Sequence, residues 1–187
     1  LFRSILPMLK ELGIDIEIVK NPVSVGIEDS VINVTSKESV KEYSDLLKKM
    51  YPNSEKDIER VISFVRRIMK DMEILYGVDN PLFMDFKNNK SHFVKVYLPW
   101  LFKFLLTLRR IGKLKMPVEE FLGKIIKNGS LRDIIDQHFF KNTPTFFAMS
   151  YFYLYQDYFY PKGGVGTIAE RVKEKIIQFG GNIETGR

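Results

Sequence analysis

The run YPKGGVGT at residues 160–167 is the most informative part of the sequence for the fold, because a helical pattern begins directly after it. A second glycine pair at residues 180–181 ends that pattern before the run NIET at 182–185. This order predicts a glycine turn, a helix and a strand in close succession. The residues expected to face inward on the helix recur at helical spacing: Ile168, Val172, Ile176 and Phe179.

Two glycines, Gly163 and Gly164, stand ahead of this helix. A backbone without side chains can approach a ligand closely, and the amino terminus of a helix favours negative charge or electron-rich oxygen. The run is not a Walker loop, because the residue directly before Thr167 is not the lysine that a Walker loop requires. It also lacks the Gly-x-Gly-x-x-Gly spacing. Its composition indicates a ligand-facing backbone and does not name the ligand.

An aromatic stretch leads into the glycine turn. Its side chains could fill a core or line a slot for an extended apolar ligand, and both uses stay open. Nucleic-acid stacking is not supported, because no cation lies between Lys141 and Lys162. If the stretch lines a slot, we expect Tyr155, Phe159 and Tyr160 there. Its members are Phe146, Phe147, Tyr151, Phe152, Tyr153, Tyr155, Tyr158, Phe159 and Tyr160.

Upstream, the pattern predicts a helix, a hairpin and then further helices. Apolar residues in 1–12 draw one helical face that Gly13 ends, and alternation within 14–35 predicts a β-hairpin around a turn at 28–30. The run TSKE at 35–38 has the spacing of a capping box and predicts a helix start.

After the pair Tyr51-Pro52, apolar spacing over 58–75 predicts a long helix. Residues 117–127 predict a short helix, and Ser130 is expected to cap the next one.

Residues 92–113 are mostly apolar, yet five cations fall within an arc of about 120° if the segment is helical. Pro99 is expected to kink it, and the cations make it a poor transmembrane span. Such a helix could lie on a lipid surface with Lys103, Arg109 and Arg110 facing the membrane, or it could be an ordinary helix with a solvated edge. Both interpretations stay open.

Composition limits the chemistry. The 187-residue chain has no cysteine, which excludes disulfides, thiol catalysis and thiolate metal sites and fits a reducing compartment such as the cytoplasm. A net charge of +6 suits an acidic partner or solubility alone. His92 and His138 lack neighbours at metal-ligand spacing, and no serine lies in a nucleophile elbow, so we predict no metal site and assign no catalytic residue.

Taken together, residues 160–164, the helix and residues 180–185 resemble the Tyr-Pro-x-Gly-Gly segment of phytoene desaturases, carotenoid isomerases and retinol saturases. Residues 9–15 resemble the helix of that family that ends in Leu-Gly-Ile-Asp, and residues 23–34 resemble its strand pair around an acidic turn. The aromatic-Pro pair and long helix at 51–76 are also similar. One departure is visible, Ser30, where Asp-Gly is usual.

The resemblance implies an α+β, mostly helical fold in an internal piece of a longer FAD-dependent oxidoreductase. Residues 1–159 would form the substrate-binding domain with its small hairpin, and residues 160–187 would return into a Rossmann-like FAD domain. Gly163 and Gly164 would lie beside the flavin. The dinucleotide fingerprint is missing from the sequence, so the chain alone is not expected to bind FAD.

The family oxidises, isomerises or saturates carbon-carbon bonds of long polyprenoid substrates, with the flavin accepting or donating the hydride. The resemblance therefore implies an apolar polyprenoid-like partner, no nucleic acid, and a cytoplasmic protein with the option of peripheral membrane contact. The alternative is a helical interaction or membrane-docking module without catalytic activity.

Overall fold

A computed structural model describes residues 2–77 and 93–186. The predicted α+β, mostly helical class is confirmed. The helices are α1 (Phe2–Glu11), α2 (Ser39–Met50), α3 (Glu55–Leu75), α4 (Leu98–Ile111), α5 (Val118–Ile125), α6 (Gly129–Asp136), α7 (Thr145–Leu154) and α8 (Gly166–Gln178). The strands are β1 (Ile18–Lys20), β2 (Val23–Ile27), β3 (Ser30–Val34) and β4 (Phe159–Pro161).

The contacts divide the described chain into two units. Unit one holds residues 2–21 and 158–186, and unit two holds residues 22–77 and 93–157. The amino-terminal residues therefore group with the glycine turn and its helix. The predicted division into a substrate-binding domain, 1–159, and a return segment, 160–187, concerns a longer protein and stays a prediction.

Unit one contains a two-stranded antiparallel sheet and two helices. β1 pairs with β4 in the register Ile18↔Pro161, Val19↔Tyr160 and Lys20↔Phe159. The predicted first helix is confirmed as α1, and it ends at Gly13, which adopts φ +65°. The amide of Ile14 donates to the carbonyl of Leu9 at 2.8 Å, which closes the glycine-ended turn typical of helix C-termini.

Helix α8 forms where the sequence predicts it, but its burial differs from the prediction. Ile168 and Val172 are half-buried, whereas Ile176 and Phe179 are exposed, with 75% of Phe179 accessible. The prediction that all four face inward is wrong within the described residues. Unit one offers two short strands and α1 to pack against, which is too little surface to cover the whole stripe.

The end of α8 is also confirmed, while the strand after it is not. Gly180 has φ +80°, and the amide of Gly181 donates to the carbonyl of Ile176 at 2.8 Å. Residues 181–186 run without regular structure, so the strand predicted at 182–185 is wrong here. A strand requires a hydrogen-bonding neighbour, and β1 and β4 pair only with each other among the described residues.

In unit two the predicted hairpin is confirmed. β2 and β3 pair from Val23↔Val34 to Ile27↔Ser30, around a two-residue turn of Glu28 and Asp29. Alternation places Ile27 and Ile32 among the buried residues that line the main core.

The helix after the hairpin begins at Ser39, and the capping box predicted at 35–38 is wrong. Glu38 occupies the N-cap position and makes no side-chain capping bond. Instead the hydroxyl of Ser39 accepts from the amides of Thr35 at 3.2 Å and Ser36 at 3.4 Å, and it donates to the carbonyl of Asn33 at 3.1 Å. Ser39 thus ties together the residues that precede α2, and these bonds are not made to the amides of the first helical turn.

The core of unit two is built around α3, whose predicted apolar stripe is confirmed. Pro52–Ser54 forms a 3₁₀ turn that separates α2 from α3. The stripe packs against the inward side of α7, with Ala148 and Met149 fully buried. Buried members of α3 include Ile58, Val61, Ile62, Val65, Ile68, Met69 and Met72.

Helices α5 and α6 complete this core through Val118, Leu122, Leu131 and Ile135, which are fully buried. The predicted helix at 117–127 is confirmed as α5, but Ser130 does not cap α6. The side chain of Asn128 accepts from the amide of Leu131 at 3.1 Å, so the cap lies two residues earlier than predicted.

The described part of the 92–113 segment is a π-helical turn, Phe93–Tyr97, followed by α4. Pro99 lies in the first turn of α4, directly after the π-helical turn, where a missing amide costs little, and the kink there stays a prediction. His92 lies outside the described residues. Among the described helices, none has the length and apolarity needed to cross a bilayer.

Candidate functional site: the glycine turn of unit one

The glycine turn is a tight reversal at the end of β4. The amide of Gly164 donates to the carbonyl of Pro161 at 3.0 Å. Gly163 has φ +85° at the third position of this turn, and Gly164 has φ +97°. Positive φ at the third position is what a type II turn requires, and it is the reason that glycine is found there. The sequence therefore dictates this bend locally.

The turn is anchored to β1. The amide of Lys162 donates to the carbonyl of Glu17 at 2.9 Å, continuing the ladder between the two strands. The Lys162 ammonium also contacts both carboxylate oxygens of Glu17, at 3.0 and 2.9 Å. Both side chains are exposed, so this ion pair adds little stability. The pair lies directly after the last paired residue of β4, where the turn begins.

The turn leads without a break into α8. The amide of Thr167 donates to the carbonyl of Gly164 at 3.2 Å, and the Thr167 hydroxyl lies 3.4 Å from the carbonyl of Lys162. A Cβ atom added to Gly163 would lie 3.0 Å from that hydroxyl, whereas one added to Gly164 would meet nothing within 4 Å. Gly164 thus presents bare backbone on its open side, at the amino terminus of a 13-residue helix.

The predicted slot residues do not all belong to the same unit. Phe159 and Tyr160 lie on β4 in unit one, the first half-buried and the second exposed. Tyr155 lies in unit two, with its ring centroid 5.6 Å from that of Tyr151. Tyr151 is in turn 5.4 Å from Phe147, so these three rings form a ladder along one side of α7.

Some side chains of the aromatic stretch are therefore part of the core, while others are accessible. Phe152 is buried, with its ring 5.7 Å from that of Tyr43, and it serves the core of unit two. Next to this contact, Nε2 of His138 lies 3.2 Å from the Tyr43 hydroxyl. Burial raises the pKa of Tyr43 and lowers the pKa of His138, so both are held in their neutral forms. His138 is a polar member of the core.

The three cations predicted to face a membrane have different surroundings. Lys103 and Arg109 are exposed. The guanidinium of Arg110 instead pairs with the carboxylate of Asp71, a buried residue of α3 that was not predicted from the sequence. The sequence does contain an indication of this buried residue. Asp71 follows Ile68 by three residues, so helical spacing places its carboxylate on the apolar stripe of α3.

A second concave surface in unit one lies between the end of α1 and the carboxyl-terminal half of α8. This cleft of about 430 Å³ is lined by Asp15, Arg171, Glu174 and Lys175 among others. Lys175 follows the start of α8 by nine residues, or about 13 Å along the helix axis. The cleft is therefore separate from the glycine turn.

Within residues 2–77 and 93–186, no group of three or more histidine or acidic side chains is arranged to hold a metal ion. Comparisons of the chain with protein-family models, with curated proteins and with solved structures found no match. A functional proposal therefore depends on the geometry of the glycine turn and on the resemblance of its sequence to the Tyr-Pro-x-Gly-Gly segment.

Proposed function

We propose that this chain is the substrate-side part of an FAD-dependent oxidoreductase of the phytoene desaturase and retinol saturase type. Its substrate would be a long apolar polyprenoid-like molecule whose carbon-carbon bonds are oxidised, isomerised or saturated. Residues 160–187 would belong to a Rossmann-like flavin domain, and Gly163 and Gly164 would lie beside the flavin.

The observation that carries this proposal is the open glycine turn at the start of α8. Gly164 has a backbone conformation that side-chain-bearing residues rarely adopt, and no described atom occupies the space that its Cβ would fill. A flat ring system can approach such a backbone more closely than it can approach any other residue. This open backbone supports the proposed flavin contact, in which the amino terminus of α8 would favour the electron-rich oxygens of the ring.

The exposed apolar residues of unit one give further support. Val19 of β1, Ile177 of α8 and Phe179 are all exposed, so they are accessible to a further domain. The proposed flavin domain would supply the remaining strands and helices against which they pack.

In the proposed reaction the flavin supplies the hydride chemistry, and the residues of this chain position the alkene. Phe159 and Tyr160 alternate along β4, directly before the turn, so one ring on each side of the strand is available to contact an apolar chain. No described residue of the turn offers an acid or base at hydrogen-bond distance from its backbone. The proposed role of the protein is binding, orientation and exclusion of water.

The test is the flavin content of the full-length protein after purification. We expect stoichiometric FAD in the wild type, detected by its visible absorbance, and at least a tenfold loss of FAD affinity in Gly164→Val, because the branched side chain fills the open side of the turn. The matched control is Gly180→Val, at a glycine of unit one that also has positive φ and where an added Cβ also meets nothing within 4 Å. A full-length wild type that carries no flavin and takes none up would overturn the proposal.

A further inference from the structure

Two contacts with α3 fix the orientation of helix α4 about its own axis. At its start, the indole N–H of Trp100 donates to the carbonyl of Ile74 at 2.6 Å. Near its end, Arg110 pairs with buried Asp71. These two anchors are ten residues apart, about 15 Å along the axis, and Thr107 between them is buried. The side of α4 that faces away from α3 is therefore defined.

That outer side is apolar up to its last turn, where the exposed Arg109 follows Leu105 by four residues. We call it the outer face of α4 and define it by Leu98, Phe102, Leu105 and Leu106, which recur at helical spacing. Each has between 51% and 65% of its surface exposed. Val94 before the helix and Leu108 within it extend the exposed apolar surface. A contiguous patch of this kind usually marks a contact surface.

The charged residues of the segment that carries this face all have one sign. Residues 93–118 contain no aspartate or glutamate. Two of the exposed cations, Lys103 and Arg109, lie on α4 itself. A helix that combines an exposed apolar face with cations, and has no carboxylates, complements an apolar interior beneath a layer of negative charge. The cations of the segment that are exposed without a described acidic partner are Lys95, Lys103, Arg109, Lys113 and Lys115.

The same observations argue against other occupants. A symmetric contact with a second copy would bring identical sets of cations together. Single-stranded nucleic acid stacks on aromatic rings, and Phe102 is the one aromatic member of the outer face. The 14 residues of α4 measure about 21 Å, which is shorter than the hydrocarbon core of a bilayer. The helix is therefore suited to lie in the membrane plane.

We propose that the outer face of α4 docks on an anionic lipid bilayer surface, with its apolar side chains among the acyl chains and Lys103 and Arg109 at the headgroups. This inference does not depend on the flavin function. A protein without flavin would still bind vesicles, and a flavoprotein without this surface would not.

The first test is sedimentation of the full-length protein with vesicles of phosphatidylcholine, with and without phosphatidylserine. We expect binding to the vesicles that contain phosphatidylserine, weakened by salt. The double variant Phe102→Ser with Leu105→Ser is expected to lose about tenfold or more of that affinity. The matched control is Phe140→Ser with Val31→Ser, two apolar residues that are at least as exposed elsewhere in unit two and are expected to have no effect.

The second test removes charge. Lys103→Gln with Arg109→Gln is expected to lower affinity for the anionic vesicles roughly tenfold and to weaken the salt dependence. The control, Lys41→Gln with Lys49→Gln, removes two exposed cations of α2 and should bind as the wild type does. Equal binding of the wild type to neutral and anionic vesicles would overturn the proposal.

A third test uses the absence of cysteine from the chain, which allows a single label. An environment-sensitive fluorophore on Leu105→Cys should shift to the blue with anionic vesicles and be quenched by bromolipid, while the same label on Val31→Cys should not respond. If the outer-face variant instead dissociates a dimer and the wild type ignores vesicles, the face is a contact between copies and the proposal fails.

Discussion

Arg110 and Asp71 join α4 to α3 through an ion pair of unequal burial. Nε of Arg110 donates to one carboxylate oxygen of Asp71 at 3.2 Å, and Nη2 donates to the other. Asp71 is buried, while half of the Arg110 side chain is exposed. Nη2 also lies 3.2 Å from the hydroxyl of Thr107. Arg110 thus holds the helix in place, so its charge is not free to face an outside partner.

Removing Arg110 is expected to destabilise unit two. Arg110→Ala leaves the Asp71 carboxylate buried without its partner, so we expect a loss of about 2–3 kcal/mol in the free energy of unfolding, at the lower end for buried pairs because Arg110 is half exposed. Arg109→Ala, one residue earlier and exposed, should change stability by less than about 0.5 kcal/mol. Urea unfolding compares the two variants.

A double variant separates the ion pair from the packing of its side chains. Asp71→Leu with Arg110→Met replaces both charges with apolar groups of similar size, and we expect it to be more stable than Arg110→Ala. A double variant as unstable as the single one would show that the aliphatic stem of Arg110, and not the pair, holds α4.

The neutral form of His138 predicts a pH dependence of stability. Burial lowers the pKa of His138 in the folded state, so the unfolded state binds a proton more readily. Stability is therefore highest above the unfolded pKa of about 6.5 and is lost as the pH falls below it.

The experiment is urea unfolding at several pH values between about 5.5 and 7.5. We expect the slope to flatten in His138→Gln, which can still form a hydrogen bond with Tyr43. The chain has two histidines, so His92→Gln is measured beside it to separate the contribution of the second histidine. A slope that follows His92 instead would contradict the prediction.

Local periodicity predicted most of the helices because the information lies within the helix itself. The stripe of α3 recurs through the 21 residues of that helix, and only a helix places those residues on one side. The predictions of the capping residues were wrong because several side-chain hydroxyls and amides within three residues can bond to the backbone at a helix start. At α6 the side chain of Asn128 caps the helix in place of Ser130, and before α2 the hydroxyl of Ser39 binds the amides of Thr35 and Ser36, so the predicted box does not form.

Features that depend on distant partners could not be predicted from the sequence. Pairing of β1 with β4 joins residues from the two ends of the chain, and nothing in either short strand specifies the other. The inward direction predicted for Ile176 and Phe179 required a surface to pack against, which unit one does not supply. At the candidate site, the sequence predicted the bend at Gly163 and Gly164 correctly because positive φ is a local requirement.

The hairpin turn offers a stabilising substitution. Glu28 has φ +50° at the first position of a two-residue turn, where glycine is preferred because a side chain strains the backbone. We expect Glu28→Gly to stabilise unit two by about 1 kcal/mol, measured by urea unfolding. Asp29→Gly is the control, because Asp29 does not share the positive φ. Equal effects of the two variants would indicate that charge removal and not backbone relief is responsible.

Gly181 is the position in unit one least able to accept a side chain. A Cβ atom there would lie 2.6 Å from Cγ2 of Ile176 and 3.0 Å from the carbonyl oxygen of Ile176, which accepts the hydrogen bond from the amide of Gly181. Gly181→Ala must therefore shift the backbone of the closing turn, at a cost of about 1–3 kcal/mol. We expect faster hydrogen exchange at the amides of Gly180 and residue 181, which close that turn.

Gly123→Ala separates a steric effect from a general effect of replacing glycine. Gly123 lies inside α5 with open space around its Cβ position, so alanine should stabilise that helix by about 0.5–1 kcal/mol. The two substitutions are chemically identical and are expected to act in opposite directions. Unchanged exchange in Gly181→Ala would mean that Ile176 can rotate away, and the close contact at the end of α8 would then not be what requires glycine at position 181.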